Sequence, residues 1–176
     1  MRHAEAGMGY PDHERPLSAA GRTDAATAGA WIRQSLPGVD AVVCSTSKRT
    51  RQTLDALAVD APAWFADELY GGDVQDILDA IALAPEDAET LLVVGHAPGV
   101  PAVAYELATV ASMAADGANT GPGGDDPDTD EWDIPGDVAG LRHFSACAIA
   151  VMVTDGSWGN LADTGASLQS VRHPRG

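Results

Sequence analysis

Positive charge is what this sequence has least of. Ten Lys and Arg stand against 26 Asp and Glu, a net charge of -16, and no Lys or Arg occurs from Gln52 to Leu141, a stretch carrying nineteen acids. A nucleic-acid partner needs a basic face, so that class is excluded. Cysteine is nearly absent too: Cys44 and Cys147 make no disulfide framework and, each in an apolar stretch, read as small core residues. No apolar run approaches the ~18 residues of a membrane span, and the N-terminus lacks the apolar stretch of a signal peptide. A soluble cytoplasmic protein without a membrane partner is the expectation, with a monomer favoured. The 176 residues, 45% of them hydrophobic, suit one domain over 1–176 that buries roughly two-thirds of its unfolded surface.

The scarce cations are unevenly placed, seven of the ten lying in residues 1 to 51. Arg2-His3 open the chain, Arg49 sits in Ser45-Thr-Ser-Lys-Arg-Thr-Arg-Gln-Thr53, and His96 in Leu91-Leu-Val-Val-Gly-His-Ala-Pro-Gly99. Two arginines and two histidines in three segments suit phosphoryl chemistry. Guanidinium forks match phosphate oxygens bidentately, and a neutral imidazole is a competent nucleophile toward phosphorus.

The chain alternates strand and helix signals. After a breaker-rich loop over 4–17, Ser18 caps a helix rich in Ala, with an apolar face of Ala25, Ala28, Ile32 and Leu36, stopped by Pro37-Gly38. Asp40-Ala-Val-Val-Cys44 reads as a buried strand, followed by a helix over about 48–58. Ala63-Trp-Phe-Ala66 is a further strand. Val74, Ile77, Leu78 and Ile81 form the buried stripe of a helix, with Asp73, Asp76 and Asp79 off that face. Thr90 to Val94 is a strand and Val100 to Val110 a helix. From Ala111 the pattern dissolves into an acidic loop insertion at about 114–140: Asp116 to Asp137 carries eight acids, five glycines and three prolines. Phe144 to Val153 is expected as a long strand, with edge strands at Ser157–Leu161 and Ala166–Val171. The pattern implies a three-layer α/β/α sandwich around a mostly parallel sheet. Ligands bind such sheets outside the carboxyl ends of the strands, where Ser45 and His96 would fall.

The ordered set of motifs resembles the histidine phosphatase (phosphoglycerate mutase-like) superfamily, and within it the short SixA-type phosphohistidine phosphatases. The matching residues are Arg2-His3-Ala-Glu-Ala6, Asp12-His-Glu-Arg-Pro-Leu-Ser18 with Gly21, Ser45 to Thr53, Gly95-His-Ala-Pro-Gly99, and Trp158-Gly-Asn-Leu161. The resemblance implies that His3 is the nucleophile that becomes phosphorylated, that Arg2, Arg49 and His96 hold the phosphoryl oxygens, and that no metal or other cofactor takes part. Neighbouring guanidiniums would keep the His3 lone pair free at neutral pH. Arg15 and His13, in the loop after the nucleophile, are further candidates for substrate contact. The substrate implied is phosphohistidine in a protein partner. The alternatives are a small phosphate ester, or simple phosphate binding without catalysis.

The chain departs from the family in two places. Most members carry a carboxylic acid that protonates an alkoxide leaving group. Glu68, in Asp67-Glu-Leu-Tyr-Gly71, is the nearest candidate, without being a secure match. Resemblance to the SixA type implies that this acid is dispensable, because imidazole leaves more readily than alkoxide. Relatives also have a buried strand leading into the Arg-His pair, where here only Met1 stands. The first strand is therefore expected to be truncated, with Met1 an internal residue of it in a longer natural chain. His143 and His173 lack ligand spacing and read as surface residues. Asp126-x-Asp128-x-Asp130 with Asp137 imitates a calcium loop, but Glu131 stands where that loop requires glycine.

Overall fold

The computed structural model describes residues 1–117 and 138–174. Helix α1 (Ala19–Ser35) starts where the Ser18 side chain accepts from the Gly21 backbone N–H at 2.9 Å, the N-cap expected from sequence. It buries Ala25, Ala28 and Ile32, together with Gly21 and Gly29. A Cβ on Gly29 would lie 2.0 Å from the Leu57 carbonyl, so only glycine lets α1 pack this closely on the next helix. Strand β1 (Ala41–Ser45) is buried throughout and leads into α2 (Lys48–Leu57). Strand β2 (Ala63–Ala66) and a 3-10 turn (Asp67–Leu69) precede α3 (Val74–Ala82), which opens with a capping box between Asp73 and Asp76. Strand β3 (Leu91–Val94) leads to α4 (Gly99–Gly117), and after the undescribed residues come α5 (Ala139–Arg142) and strand β4 (Ile149–Val153). Helix α6 (Leu161–Thr164) and strand β5 (Ser167–Arg172) follow.

Strands β2, β1 and β3 form a parallel sheet with β1 central, and β4 pairs with β5 antiparallel. Met1 to His3 lie between the two. Gly95 N–H donates to the Met1 carbonyl and His3 N–H to the Gly95 carbonyl, in parallel register with the end of β3. On the other side Arg2 N–H donates to Ala148 and Cys147 N–H to His3. Three residues thus stitch the parallel sheet to the β4–β5 hairpin, paired on both sides.

Side chains alternate along β1 and divide the core. Val42 and Cys44 join Ala25, Ala28, Ile32 and Leu57 on the α1–α2 face, while Val43 joins Ile77, Ile81, Val103 and Leu107 on the α3–α4 face. Helices on both faces of the parallel strands make the expected α/β/α arrangement.

Three boundaries differ from expectation. Helix α4 continues to Gly117 rather than ending near Val110, since its Ala-rich tail favours helix. The expected strand from Phe144 begins only at Ile149, because Cys147 has φ of 65°, which breaks extended pairing. Ser157–Leu161 is not a strand: Trp158–Asn160 form a 3-10 turn running into α6, with the Trp158 indole N–H donating to the Ala88 carbonyl at 2.8 Å. Of the acidic insertion, residues 118–137, including the calcium-like Asp126–Asp137 run, lie outside the described residues.

Candidate active site

The carboxyl ends of β1 and β3 bring the sequence candidates together. His3 follows the stitching segment, Arg49 points back from the first turn of α2, and His96 follows β3 by two residues. The His3 and His96 rings meet edge-on with centroids 5.0 Å apart.

Each imidazole has a partner that selects its tautomer. His3 Nδ1 lies 2.7 Å from the Ala4 carbonyl, which only accepts, so Nδ1 carries the proton and Nε2 keeps its lone pair. That lone pair faces Arg49, whose Nε–H donates to it at 3.2 Å. His96 Nε2 is 2.9 Å from the Ser45 hydroxyl, and its Nδ1 lies 3.4 Å from Arg49 Nη2. Nδ1 therefore accepts and Nε2–H donates to Ser45.

Burial, and secondarily the positive charges of Arg49, Arg2 and Arg15, push His3 down to about 4. Burial, then His3 and Arg49, push His96 down to about 3. Both are neutral at pH 7. The guanidiniums expected to free the nucleophile do contribute, but desolvation is the larger cause.

Arg49 is only 7% exposed, and each of its three nitrogens is engaged. Besides His3, Nη1 donates to the Asp12 backbone carbonyl at 2.8 Å and Nη2 to the Asp12 carboxylate at 3.0 Å. Asp12 also accepts from Arg15 Nη1 at 3.1 Å and from the Tyr70 hydroxyl at 2.8 Å. The Tyr70 hydrogen bond first, then the arginines, hold its carboxyl down at about 2. Tyr70 packs edge-on against both His96 and His13, so it roofs the pocket. His13 Nε2 reaches Thr46 Oγ1 at 3.1 Å, and that hydroxyl donates to Asp67 at 2.6 Å.

Arg2 forms the opposite wall. Its Nη1 donates to the Phe144 carbonyl at 2.9 Å, while its Nε is buried without a protein acceptor. A buried guanidinium N–H left unpaired beside two neutral imidazoles suits an anion. Arg15 braces the loop, its Nε donating to the Gly7 carbonyl at 3.0 Å, and borders the site through Asp12. Glu68 is exposed in its 3-10 turn, and the carboxylate of that turn hydrogen-bonded at the rim is Asp67. Among the described residues, no cluster of His, Cys, Asp and Glu suits a metal ion.

Sequence reasoning missed Asp12 and Tyr70. Asp12 lay in a quoted motif, but nothing local marks an exposed loop carboxylate as the partner of an arginine 37 positions away. Tyr70 carried no pattern at all.

Comparison with known proteins supplies the relationship. Residues 1–70 match the model of the histidine phosphatase superfamily, branch 1. The solved structure of a protein assigned as the phosphohistidine phosphatase SixA of Nakamurella multipartitia is 47% identical, with a TM-score of 0.87 over 99% of this chain and 93% of that one. The structure of a protein histidine phosphatase SixA complexed with tungstate shares the fold at 22% identity and a TM-score of 0.70, over 99% of this chain and 95% of that one. An uncharacterized protein of Mycobacterium tuberculosis is 44% identical over 117 residues, 65% of this chain and 74% of the relative.

Proposed function

The chain belongs to the histidine phosphatase superfamily and is a phosphatase, and from that premise we propose that it hydrolyses phosphohistidine carried by a protein, through a covalent phosphohistidine at His3. The observation that carries this reading is the His3 imidazole, neutral and with its Nε2 lone pair aimed at a guanidinium. A phosphoryl group entering the pocket displaces the Arg49–His3 contact. Its oxygens take N–H groups of Arg49 and the orphaned Nε of Arg2.

In the first displacement, His3 Nε2 forms a bond to phosphorus as the bond from phosphorus to the substrate imidazole breaks, and the departing ring takes up a proton from solvent. In the second, water attacks phosphorus, the bond to Nε2 breaks, and the product is inorganic phosphate. The arginines act chiefly by stabilising the charge of the phosphoryl group in transit. His96, tethered by Ser45, borders the same oxygens. Domain organisation over 1–176 as a single catalytic unit is part of this proposal.

The rim carboxylates favour phosphohistidine over a phosphate ester. Asp12 is held ionised and is committed to Arg49, Arg15 and Tyr70, so it has no proton to give an alkoxide at neutral pH. Glu68 is exposed in its turn. A leaving group that departs without a strong acid fits this arrangement. Comparing hydrolysis of a phosphohistidine peptide, a phosphoserine peptide and an aryl phosphate tests the choice. The phosphohistidine peptide is expected to have the highest kcat/KM, and a preference for phosphoserine would overturn it.

A further inference from the structure

A second feature adjoins the catalytic pocket across Arg2. A groove of about 660 Å³ runs from Arg2 and Pro98 past Tyr105 to Arg142, His143 and Ser145. Its floor is apolar, with Leu141 and Phe144 each 5% exposed, while Tyr105, 42% exposed, presents an aromatic face. Arg2 lines the groove and donates through Nη1 to the Phe144 carbonyl in its floor, so the groove shares one arginine with the proposed phosphoryl site.

Charge identifies the occupant. Arg142 is the first cation after the stretch from Gln52 that has none, in a protein of net charge -16. Among the described residues no carboxylate forms an ion pair with Arg142 or His143. A protein with so few cations places Arg142 exposed along a groove beside its candidate active site, with no ion pair to it among the described residues.

We propose that this groove seats an acidic segment of the phosphoprotein substrate that flanks its phosphohistidine, with Arg142 anchoring the segment's carboxylates. The proposal rests on the phosphohistidine reading above and adds the chemistry of the partner surface. The long-range field of the acidic surface repels such a partner, so recognition must come from short-range contacts in the groove. The apolar floor accepts the carbon chains of the segment, and Arg142 fixes its register.

The test uses two phosphohistidine peptides of equal length, one flanked by Asp and Glu and the other by Lys, with an aryl phosphate as the small-substrate control. Each is assayed on the wild-type protein and on Arg142→Glu. The wild-type protein is expected to show a KM about tenfold lower for the acidic peptide. Arg142→Glu should erase or invert that preference with kcat little changed, and should leave aryl phosphate hydrolysis intact, which also reports that the fold survives. In parallel, titration of a fluorescent, unphosphorylated acidic peptide measures binding without chemistry. Hydrolysis of both peptides with equal KM, or a preference untouched by Arg142→Glu, overturns the groove while sparing the phosphohistidine reading. Binding of the acidic peptide that depends on Arg142, with no hydrolysis of either phosphohistidine peptide, supports the groove and overturns that reading instead.

Discussion

Replacing Arg49 by alanine removes a side chain that contacts both His3 and His96, and the size of the effect follows from its contacts. Arg49 offers Nε to His3 and Nη2 to Asp12 and His96, and in the proposed mechanism these donors turn to the phosphoryl oxygens. Losing one preorganised donor aimed at developing charge costs roughly 10²–10³ in rate, and losing a phosphoryl-directed arginine roughly 10³–10⁵. Arg49→Ala is therefore expected to lower kcat by about 10³, equivalent to about 4 kcal/mol of transition-state stabilisation. Arg49→Lys keeps the charge but reaches one acceptor at a time, and should recover about tenfold of that loss. Folding suffers much less, because Asp12 is exposed and keeps Tyr70 and Arg15, so no buried charge is orphaned. The expected cost is about 1–2 kcal/mol, seen as a modest drop in Tm. The assay is steady-state hydrolysis of an aryl phosphate, with circular dichroism as the folding control. A well-folded Arg49→Ala protein within tenfold of wild-type kcat would refute the role given to this residue.

Other substitutions and conditions separate the remaining claims. His3 and His96 both have folded-state pKa values below that of a free imidazole, so the unfolded chain takes up protons that the fold refuses. Their contribution to stability is full above about pH 6.5 and falls as the pH drops toward about 4 and 3, a loss that His3→Ala and His96→Ala should each reduce in acid denaturation curves. Gly29→Ala forces a methyl group onto the Leu57 carbonyl and is expected to destabilise by about 1–3 kcal/mol in urea, with kcat of the folded fraction nearly unchanged. Burial pushes the Cys44 thiol up to about 12 and Cys147 up to about 11, so both should resist a disulfide reagent at pH 8 until the protein unfolds. Glu68→Gln should leave phosphohistidine hydrolysis within about twofold, whereas a loss of a hundredfold would make it the acid it otherwise does not resemble.

Much of this molecule was legible in the sequence because its signals were local. The Ser18 cap, the apolar stripes of α1 and α3 and the β-branched run of β1 each depend on residues within one element. The candidates Arg2, His3, Arg49 and His96 could be placed near one another from sequence because a topological rule puts strand ends together. What the sequence concealed depends on long-range geometry. Asp12 is a loop carboxylate whose partner lies on another helix, and Tyr70 gains meaning only from the rings it faces. The positive φ of Cys147 delayed β4 by several residues, a backbone choice that an apolar run does not reveal. The stitching role of Met1 to His3 is a case between these. A strand leading into Arg2-His3 was expected, but not its pairing with the end of β3, nor the hydrogen bonds to Cys147 and Ala148 that join the hairpin to the parallel sheet.

The central claim is that the phosphoryl group passes through His3. Rapid quenching of the protein with a radiolabelled phosphohistidine peptide, under alkaline conditions that preserve phosphoimidazole, tests it directly. The label is expected on the peptide containing His3, forming and decaying no slower than turnover, and absent in His3→Ala. Full turnover with no label on His3, or a His3→Ala protein that hydrolyses the substrate at the wild-type rate, would contradict it.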